Sequence, residues 1–297
     1  MKSTLREMSK KRHCYLLLIP TFTLLLTFNY YPAFSAIYHS FFQWNGFNLE
    51  NFIGLANFKE IWYDPVMRAS TINMTKLTIA GIVISVTAPL FAAKLIFNLR
   101  NLKVGYFYRV LFVLPMMVPW IVSLLIWSFI YNPNIGLLNQ VLTALGLENW
   151  TRAWLGDFDI SLIAIIFIGF PWISGFSLLI YLAGLQAISE SVLDAAVIDG
   201  CSALSRFWRI ELPLVMAQIK LIVILSIIGI IQGYVNIMIL TGGGPGDATM
   251  VPGLHMYNSA FFYNRMGYGC AVGTLLFIIV LSLTYLNLRY IKSNVEY

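Results

Sequence analysis

Residues 194–213 read DAAVIDGCSALSRFWRIELP. The stretch carries Asp194, Asp199, Arg206, Arg209 and Glu211 in a chain that is only 11% charged, and it lies between two of the longest apolar runs. A tight turn would be enough to join two apolar segments. A charged, glycine-broken connection of this length therefore calls for structure of its own, and what it means depends on what flanks it.

The flanks are membrane-like. The chain of 297 residues is 59% hydrophobic with a mean hydropathy of +0.77, well beyond what one soluble core needs. Such a composition belongs to a polytopic membrane protein. Uncharged stretches long enough to cross about 30 Å of hydrocarbon at about 1.5 Å per residue recur along it. They run roughly over Tyr15–Ser40, Leu77–Ala93, Val110–Tyr131, Ile160–Ala183, Leu221–Leu240 and Met266–Leu288. The fold class is all-α, a bundle of six transmembrane helices. The second span is the shortest, and Lys76 and Lys94 at its ends are expected to snorkel to the two interfaces.

An even number of spans puts both termini on one side, and the basic residues say which. Lys2, Arg6, Lys10, Lys11, Arg12, Lys94, Arg100, Lys103, Arg109, Arg206, Arg209, Lys220, Arg289 and Lys292 fall on the terminal side; Lys59, Arg68, Lys76, Arg152 and Arg265 fall on the other. By the positive-inside rule both termini are cytoplasmic, as is the segment 194–213, in a plasma membrane crossed several times. The net charge of +6 is thereby a topology signal and gives no ground for a nucleic-acid partner. A cleavable signal peptide with AFSA (33–36) as its processing site is the other reading of the basic start. The apolar run is too long for that and leads into an aromatic belt, FNYYPAF, which suits a retained span. Cys14, Cys201 and Cys270 are too scattered to form a disulfide framework.

Outside the spans, residues 43–72 have helical spacing in ANFKEIWYDPVM, interrupted by Gly54 and Pro65, and read as a short amphipathic surface helix. The second external loop, from Asn132, opens with turn residues and continues with a helical repeat of leucines, a small cap. No linker divides the chain, so 1–297 reads as one membrane domain. Pro20, Pro32, Pro89, Pro115, Pro119, Pro171, Gly229 and Gly233 fall inside spans, where they serve either as kinks and close packing or as the walls and hinges of a cavity.

Absences exclude whole classes. No G-x-x-x-x-G-K-[ST] is present, so no P-loop binds ATP here. GGGPG (242–246) has no following lysine and reads as a turn leaving the fifth span. His13, His39 and His255 are isolated, and nothing has metal-ligand spacing, so neither a metal nor a cofactor is expected. No ionisable residue lies at mid-depth in a span, so the usual hardware of an ion-coupled carrier is missing. A membrane enzyme would need a convergent acid, base or nucleophile, and a channel a gating domain or an ionisable residue; neither is visible.

Within 194–213 and just before it, Ser191 with Asp194 matches the [ST]-x-x-[DE] helix start, and Gly200 supplies a left-handed stop. Ala195 and Ala196 give the helix a small face. Phe207 and Ile210 then share one side of a second helical piece, and Pro213 after Leu212 fixes the start of the fifth span. The product is a helix-turn-helix on the inner surface. The residues alone allow two readings of it, a hairpin anchored in headgroups or a docking segment.

The pattern Asp194-Ala195-Ala196, three residues, Gly200, nine residues, Ile210-x-Leu212-Pro213 resembles the E-A-A-x3-G-x9-I-x-L-P loop of binding-protein-dependent ABC importer permeases. The one departure is Asp194, where the family usually has Glu; it keeps the charge and shortens the reach. IGLANF after the first span, RVLFVLPMMVP entering the third, AGLQAISESVLDAAVIDG and LTGGGPGDAT extend the likeness over nearly the whole chain, towards the carbohydrate-transporting branch. The resemblance implies a permease subunit without catalytic residues, whose loop 190–213 couples to ATPase subunits through Asp194, Ala195, Ala196, Asp199, Gly200, Ile210, Leu212 and Pro213. It implies as partners a second homologous permease, an ATPase dimer, an extracellular solute-binding protein and a sugar or oligosaccharide, with a polyol or glycerol phosphate ester as the alternative cargo. For the substrate pathway, Gln232, Gly233 and Asn236 follow Gly229 on one helical stripe, and Trp127 and Trp172 offer stacking faces; interhelical hydrogen bonding and packing account for the same residues.

The topology is open to a direct check. In a background with the native cysteines replaced, Ser191→Cys and Asp247→Cys are each exposed to an impermeant thiol reagent in intact cells. Only the second is expected to react; reaction of the first reverses the orientation.

Overall fold

A computed structural model describes residues 12–290, so Lys2, Arg6, Lys10, Lys11 and Lys292 of the topology argument lie outside the described residues. The chain divides into two units, residues 1–63 with 256–275, and residues 64–255 with 276–297.

In the first unit, α1 (Arg12–Leu25) runs through a π turn (Leu26–Tyr30) into α2 (Tyr31–His39). Residues 16–39 are apolar and long enough to span, and none is buried, which is the pattern of a helix whose surface is left for lipid or a neighbour. Then comes an element the periodicity does not foretell, a hairpin of β1 (Phe42–Trp44) and β2 (Glu50–Phe52) with Phe42 opposite Phe52. Its turn is built by Asn45, whose Oδ1 accepts from the amides of Phe47, Asn48 and Leu49, with Gly46 at φ +91°. Local side-chain bonding of this kind competes with helix. The expected surface helix is shorter, α3 (Ala56–Tyr63).

The second unit is organised on α4 (Pro65–Phe97), 33 residues or about 50 Å, longer than hydrocarbon requires. It starts twelve residues before the expected span because Asp64-Pro65 is a strong start signal. Asp64 accepts from the amides of Val66 (2.8 Å) and Met67 (3.3 Å), and Pro65 needs no donor in the first turn. The third span is broken: α5 (Leu102–Val113) and a 3-10 turn (Leu114–Met117) meet α6 (Trp120–Ile130) at 91° across Val118-Pro119. The cap loop contains α7 (Leu137–Ala144), held by Asn139, which bonds Pro133 O, Arg152 O, Arg152 N and the Trp154 indole. The fourth span is also broken, α8 (Ser161–Phe167) and α9 (Gly175–Gln186) being separated by residues 168–174. Next come α10 (Glu190–Ile198), α11 (Ala203–Arg206), a π turn (Phe207–Glu211) and the single turn α12 (Leu212–Leu214). The fifth span is α13 (Met216–Gln232) and α14 (Tyr234–Leu240), broken at Gly233; α15 (Pro252–Tyr257) precedes the last span, α16 (Met266–Tyr290), of which residues 266–275 belong to the first unit and 276–290 to the second.

Among the described residues three helices, residues 16–39, α4 and α16, are long and apolar enough to cross unbroken. By length and composition up to six spans result if the bent pairs α5 with α6, α9 with α10, and 203–214 with α13 are each counted as one. The core of the second unit lies where α4, α9 and α13 pack, with Leu90, Ala93, Leu178, Tyr181, Leu185, Phe207, Val215 and Ile222 buried together. Close approach depends on small residues: a Cβ on Gly184 of α9 would lie 2.6 Å from Gln218 of α13. At the far end of α4, the buried Asn73 donates to the carbonyls of Asp247 and Met250, both at 3.0 Å, and so ties down the segment after α14. Asn73→Leu leaves both carbonyls without that donor, at a cost of about 1–3 kcal/mol. The expected result is a lower melting midpoint in detergent with faster proteolysis near Asp247; an unchanged midpoint and cleavage pattern would show that the tie carries no weight.

Candidate functional site

The charged segment folds as a helix-turn-helix, with its start displaced. Helix α10 begins at Glu190 after Ser189, two residues earlier than Ser191 would set it; the hydroxyls of Ser189 and Ser191 lie 3.1 Å apart, and neither makes the expected cap. Its end is the one expected. Gly200 has φ +73°, its amide donates to Val197 O (3.0 Å), and the Cys201 amide donates to Ala196 O (2.9 Å), a complete Schellman stop. Ser202 then caps α11 through the Ser205 amide at 3.3 Å.

Exposure sorts the site residues. Asp194, Ala195, Asp199, Gly200 and Pro213 are exposed, Ile210 and Leu212 are half-buried, and Ala196 is buried against the chain itself. The pair Ala195-Ala196 is therefore not one outward face, because successive helical residues point about 100° apart. The outward apolar surface is instead Val197, Ile198 (85% exposed) and Leu204, next to Gly200, where an added Cβ meets nothing of this chain within 4 Å. Pro213 does not begin the fifth span; it sits in α12, and after Val215 the chain bends 67° into α13.

One residue within this region, Glu211, is given no role by its spacing. Glu211 is fully buried and is ion-paired with Lys94 of α4, while Arg206 Nε donates to its Oε1 at 2.9 Å. Lys94, expected to snorkel, is 8% exposed and turned inward instead. The signal was a lysine ending an apolar run with an acid on the next inner segment, but the sequence does not say that the two meet.

The second feature is a cleft of about 460 Å³ bounded by α4, α6, α8, the 168–174 break, α13 and α14. Of the predicted pathway residues it brings together Trp172, Gly233 and Asn236; Gln232 is exposed and not in its wall, and Trp127 lines a separate apolar cavity of about 400 Å³ with Tyr131 and Trp154. The break at Gly233 is what separates Gln232 from the rest of the stripe. A Cβ there would lie 2.7 Å from Gly229 O, so the break requires glycine, whereas a Cβ on Gly229 would meet nothing within 4 Å.

The wall's polar groups are Asn236, Trp120, Ser85, Ser174 and Ser226, all neutral, and no titratable side chain lines the cleft among the described residues. Trp120 donates its indole N–H to Asn236 Oδ1 at 2.6 Å, and Ser226 bonds Ser85 at 2.8 Å. Trp172 stands at φ +60°, its indole donating to Ile166 O at 3.0 Å, so its ring is fixed by backbone. Trp120 lies inside the third span and nothing in its spacing singled it out. The glycine turn is closed on itself: the amides of Gly242, Gly243 and Gly244 go to Ile237 O, Thr241 Oγ1 and Thr241 O, leaving none of them to hold a phosphate. No metal-binding cluster occurs among the described residues.

A surface helix-turn-helix together with a largely apolar cleft that carries a few neutral polar groups, between broken spans, fits a transport subunit, and the comparisons name the family. The sequence profile described as "Binding-protein-dependent transport system inner membrane component" matches residues 85–294. The chain belongs to that family. Among relatives of this inner membrane component, the probable ABC transporter permease protein YurN of Bacillus subtilis is 36% identical, covering 95% of this chain and 97% of that one. The sn-glycerol-3-phosphate transport system permease protein UgpA of Agrobacterium fabrum is 32% identical (95% and 96%), and the multiple sugar-binding transport system permease protein MsmF of Streptococcus mutans 30% (98% and 99%). A solved bacterial ABC transporter involved in the import of the acidic polysaccharide alginate has a chain of the same fold, TM-score 0.84 at 19% identity, covering 98% of this chain and 100% of that one.

The Trp120–Asn236 bond joins two helices that each begin at a break, α6 and α14. Trp120→Phe and Asn236→Ala are each expected to slow transport several-fold, and the double variant to be no slower than the worse single one, because both remove the same bond. Additive losses in initial uptake rates would instead mean that the two residues act separately.

Proposed function

We propose that this inner membrane component is one of two permease subunits of an ATP-driven importer for a sugar or oligosaccharide. In this reading both termini and loop 190–213 are cytoplasmic, the cleft is this subunit's share of the pathway, and ATP is hydrolysed on a partner ATPase dimer, not on this chain. An extracellular binding protein delivers the solute. The observation that carries the coupling role is the exposed end of α10: acidic and apolar side chains beside a left-handed glycine, with open space where a partner surface would lie. Through Asp194, Ala195, Asp199 and Gly200 the partner would grip the segment; Ile210, Leu212 and Pro213 connect it to the fifth span.

The cargo follows from the cleft's chemistry. Its polar groups are uncharged, and Trp120 and Trp172 add flat apolar faces, the combination that binds neutral polyhydroxylated rings. A glycerol phosphate ester would bring a dianion into a wall with no cation to meet it, which burial penalises strongly. This favours the sugar named for the Streptococcus relative over the phosphate ester named for the Agrobacterium one. Gln232 and Trp127, outside this wall, would contribute only in a second conformation or at a second surface.

Gly200→Val tests the coupling assignment. A β-branched residue at φ +73° costs about 1–2 kcal/mol of backbone strain, too little to unfold six spans, and it puts bulk where only a partner could object. The variant is expected to reach the membrane, to lose transport, and to lose the stimulation of ATP hydrolysis by loaded binding protein. Normal transport by an assembled Gly200→Val complex would return the segment to a membrane-surface hairpin.

A further inference from the structure

Neither the transport reading nor the family pattern gives a role to the charge cluster under the segment. Glu211 is fully enclosed, yet both of its carboxylate oxygens are held: Oε2 by the ammonium of Lys94, Oε1 by Arg206 Nε at 2.9 Å. Lys94 in turn lies over the Phe97 ring, 5.2 Å from its centroid. One turn away on each element a second contact runs parallel, Phe91 of α4 against Phe207 of the π turn, ring centroids 5.8 Å apart. Phe91 and Lys94 are i and i+3 on one helix, Phe207 and Glu211 the two ends of one π turn. The segment is thus fixed to α4 at two points, one apolar and one ionic.

Stability alone does not call for the ionic point, since a packed apolar pair of similar volume commonly does as well or better in such a place. What charge adds is direction. An apolar contact tolerates sliding, whereas a carboxylate gripped on both oxygens by cations from two elements has one register, and leaving that register strands a charge away from water. The adjoining joint is soft: after Val215 the chain turns 67° into α13. Displacement of α10 and α11 would be absorbed there unless the segment were locked to something stiff. On α4 the cleft residue Ser85 lies nine positions from Lys94, about 13 Å along an uninterrupted helix.

Accordingly, we propose that Glu211 is a positioning residue: with Lys94 and Arg206 it locks the 190–213 segment to α4, so that segment and helix move as one body. The role in energy coupling rests on the importer reading; the lock does not. The test uses spin labels at Val192→Cys and Leu95→Cys, both exposed positions away from the outward surface beside Gly200, in a cysteine-free background.

In lipid nanodiscs without nucleotide, the unsubstituted cluster is expected to give a narrow distance distribution, and Glu211→Gln one about twice as wide. Lys94→Met with Glu211→Leu, which leaves no charge enclosed and only the partly exposed Arg206 without its partner, is expected to widen it as much. A purely structural role would lower the melting temperature and leave the distances of the folded fraction unchanged. An equally narrow distribution in the apolar double variant overturns the proposal. In the complex with its ATPase, trapping with ATP and vanadate is expected to leave the distance unchanged in the parent and to shift it in both variants; a shift in the parent also overturns the lock. Failure of any ATPase to copurify would sink the importer reading while leaving the nanodisc result to stand by itself.

Discussion

The constraint on which this structure depends is that a backbone group freed inside a membrane must find a partner within the protein. Three of the spans are broken, and each break is closed locally. At the third, Val118 N returns to Pro115 O, and the prolines there offer no donor to strand. At the fourth, Phe170 N, Trp172 N and Ser174 N bond Phe167 O, Gly169 O and Trp172 O, and the Trp172 indole takes Ile166 O. At the fifth, Gly233 N bonds Ile230 O, and a side chain at that position would collide with Gly229 O. Because the breaks are satisfied from within, they can border a cleft without exposing unpaired groups to lipid. Of the cleft's polar groups, Trp120, Ser174 and Asn236 lie at or near the interruptions, and Ser85 and Ser226 on continuous helix.

This explains which parts of the molecule were legible in the sequence. Span number, the surface helix-turn-helix, the left-handed Gly200 and the closed glycine turn all follow from local chemistry: apolar length, capping, and a residue without Cβ. Helix boundaries were less legible wherever a competing local signal lay nearby. Asp64-Pro65 started α4 before the apolar run, Asn45 folded a hairpin out of a stretch read as helical, and α10 starts after Ser189, in place of Ser191, without a side-chain cap. The cleft was legible only in part. Asn236 and Gly233 stood out as polar or flexible residues in an apolar run, but their common helical stripe assumed an unbroken helix, and Gly233 breaks it. Trp120 was hidden because an aromatic in a span carries no mark that tells packing from bonding. Least legible was Glu211, since a charge in a loop reads as solvated until tertiary structure shows the lysine of another helix turned towards it.

The two ends of the second unit are linked by the core they share. Leu90, Ala93 and Ile96 of α4, Leu178, Tyr181, Leu182 and Leu185 of α9, Val215 just before α13 and Ile219 and Ile222 within it form one buried cluster, and its helices run on into the cleft wall at Gly81, Ser85, Ser226 and Gly229. Ser226 and Gly229 lie eleven and fourteen residues beyond Val215, about 16–21 Å along a continuous helix. Close packing in such a core changes by discrete repacking more readily than by gradual deformation. On the coupling role proposed for the segment, a push there would be transmitted as movement of whole helices and released at the points where the helices are already broken. Those points, Pro119, residues 168–174 and Gly233, surround the cleft. The interruptions that bring Trp120, Ser174 and Asn236 to the cleft thus lie in its wall, which is where a transport subunit driven from one end would open.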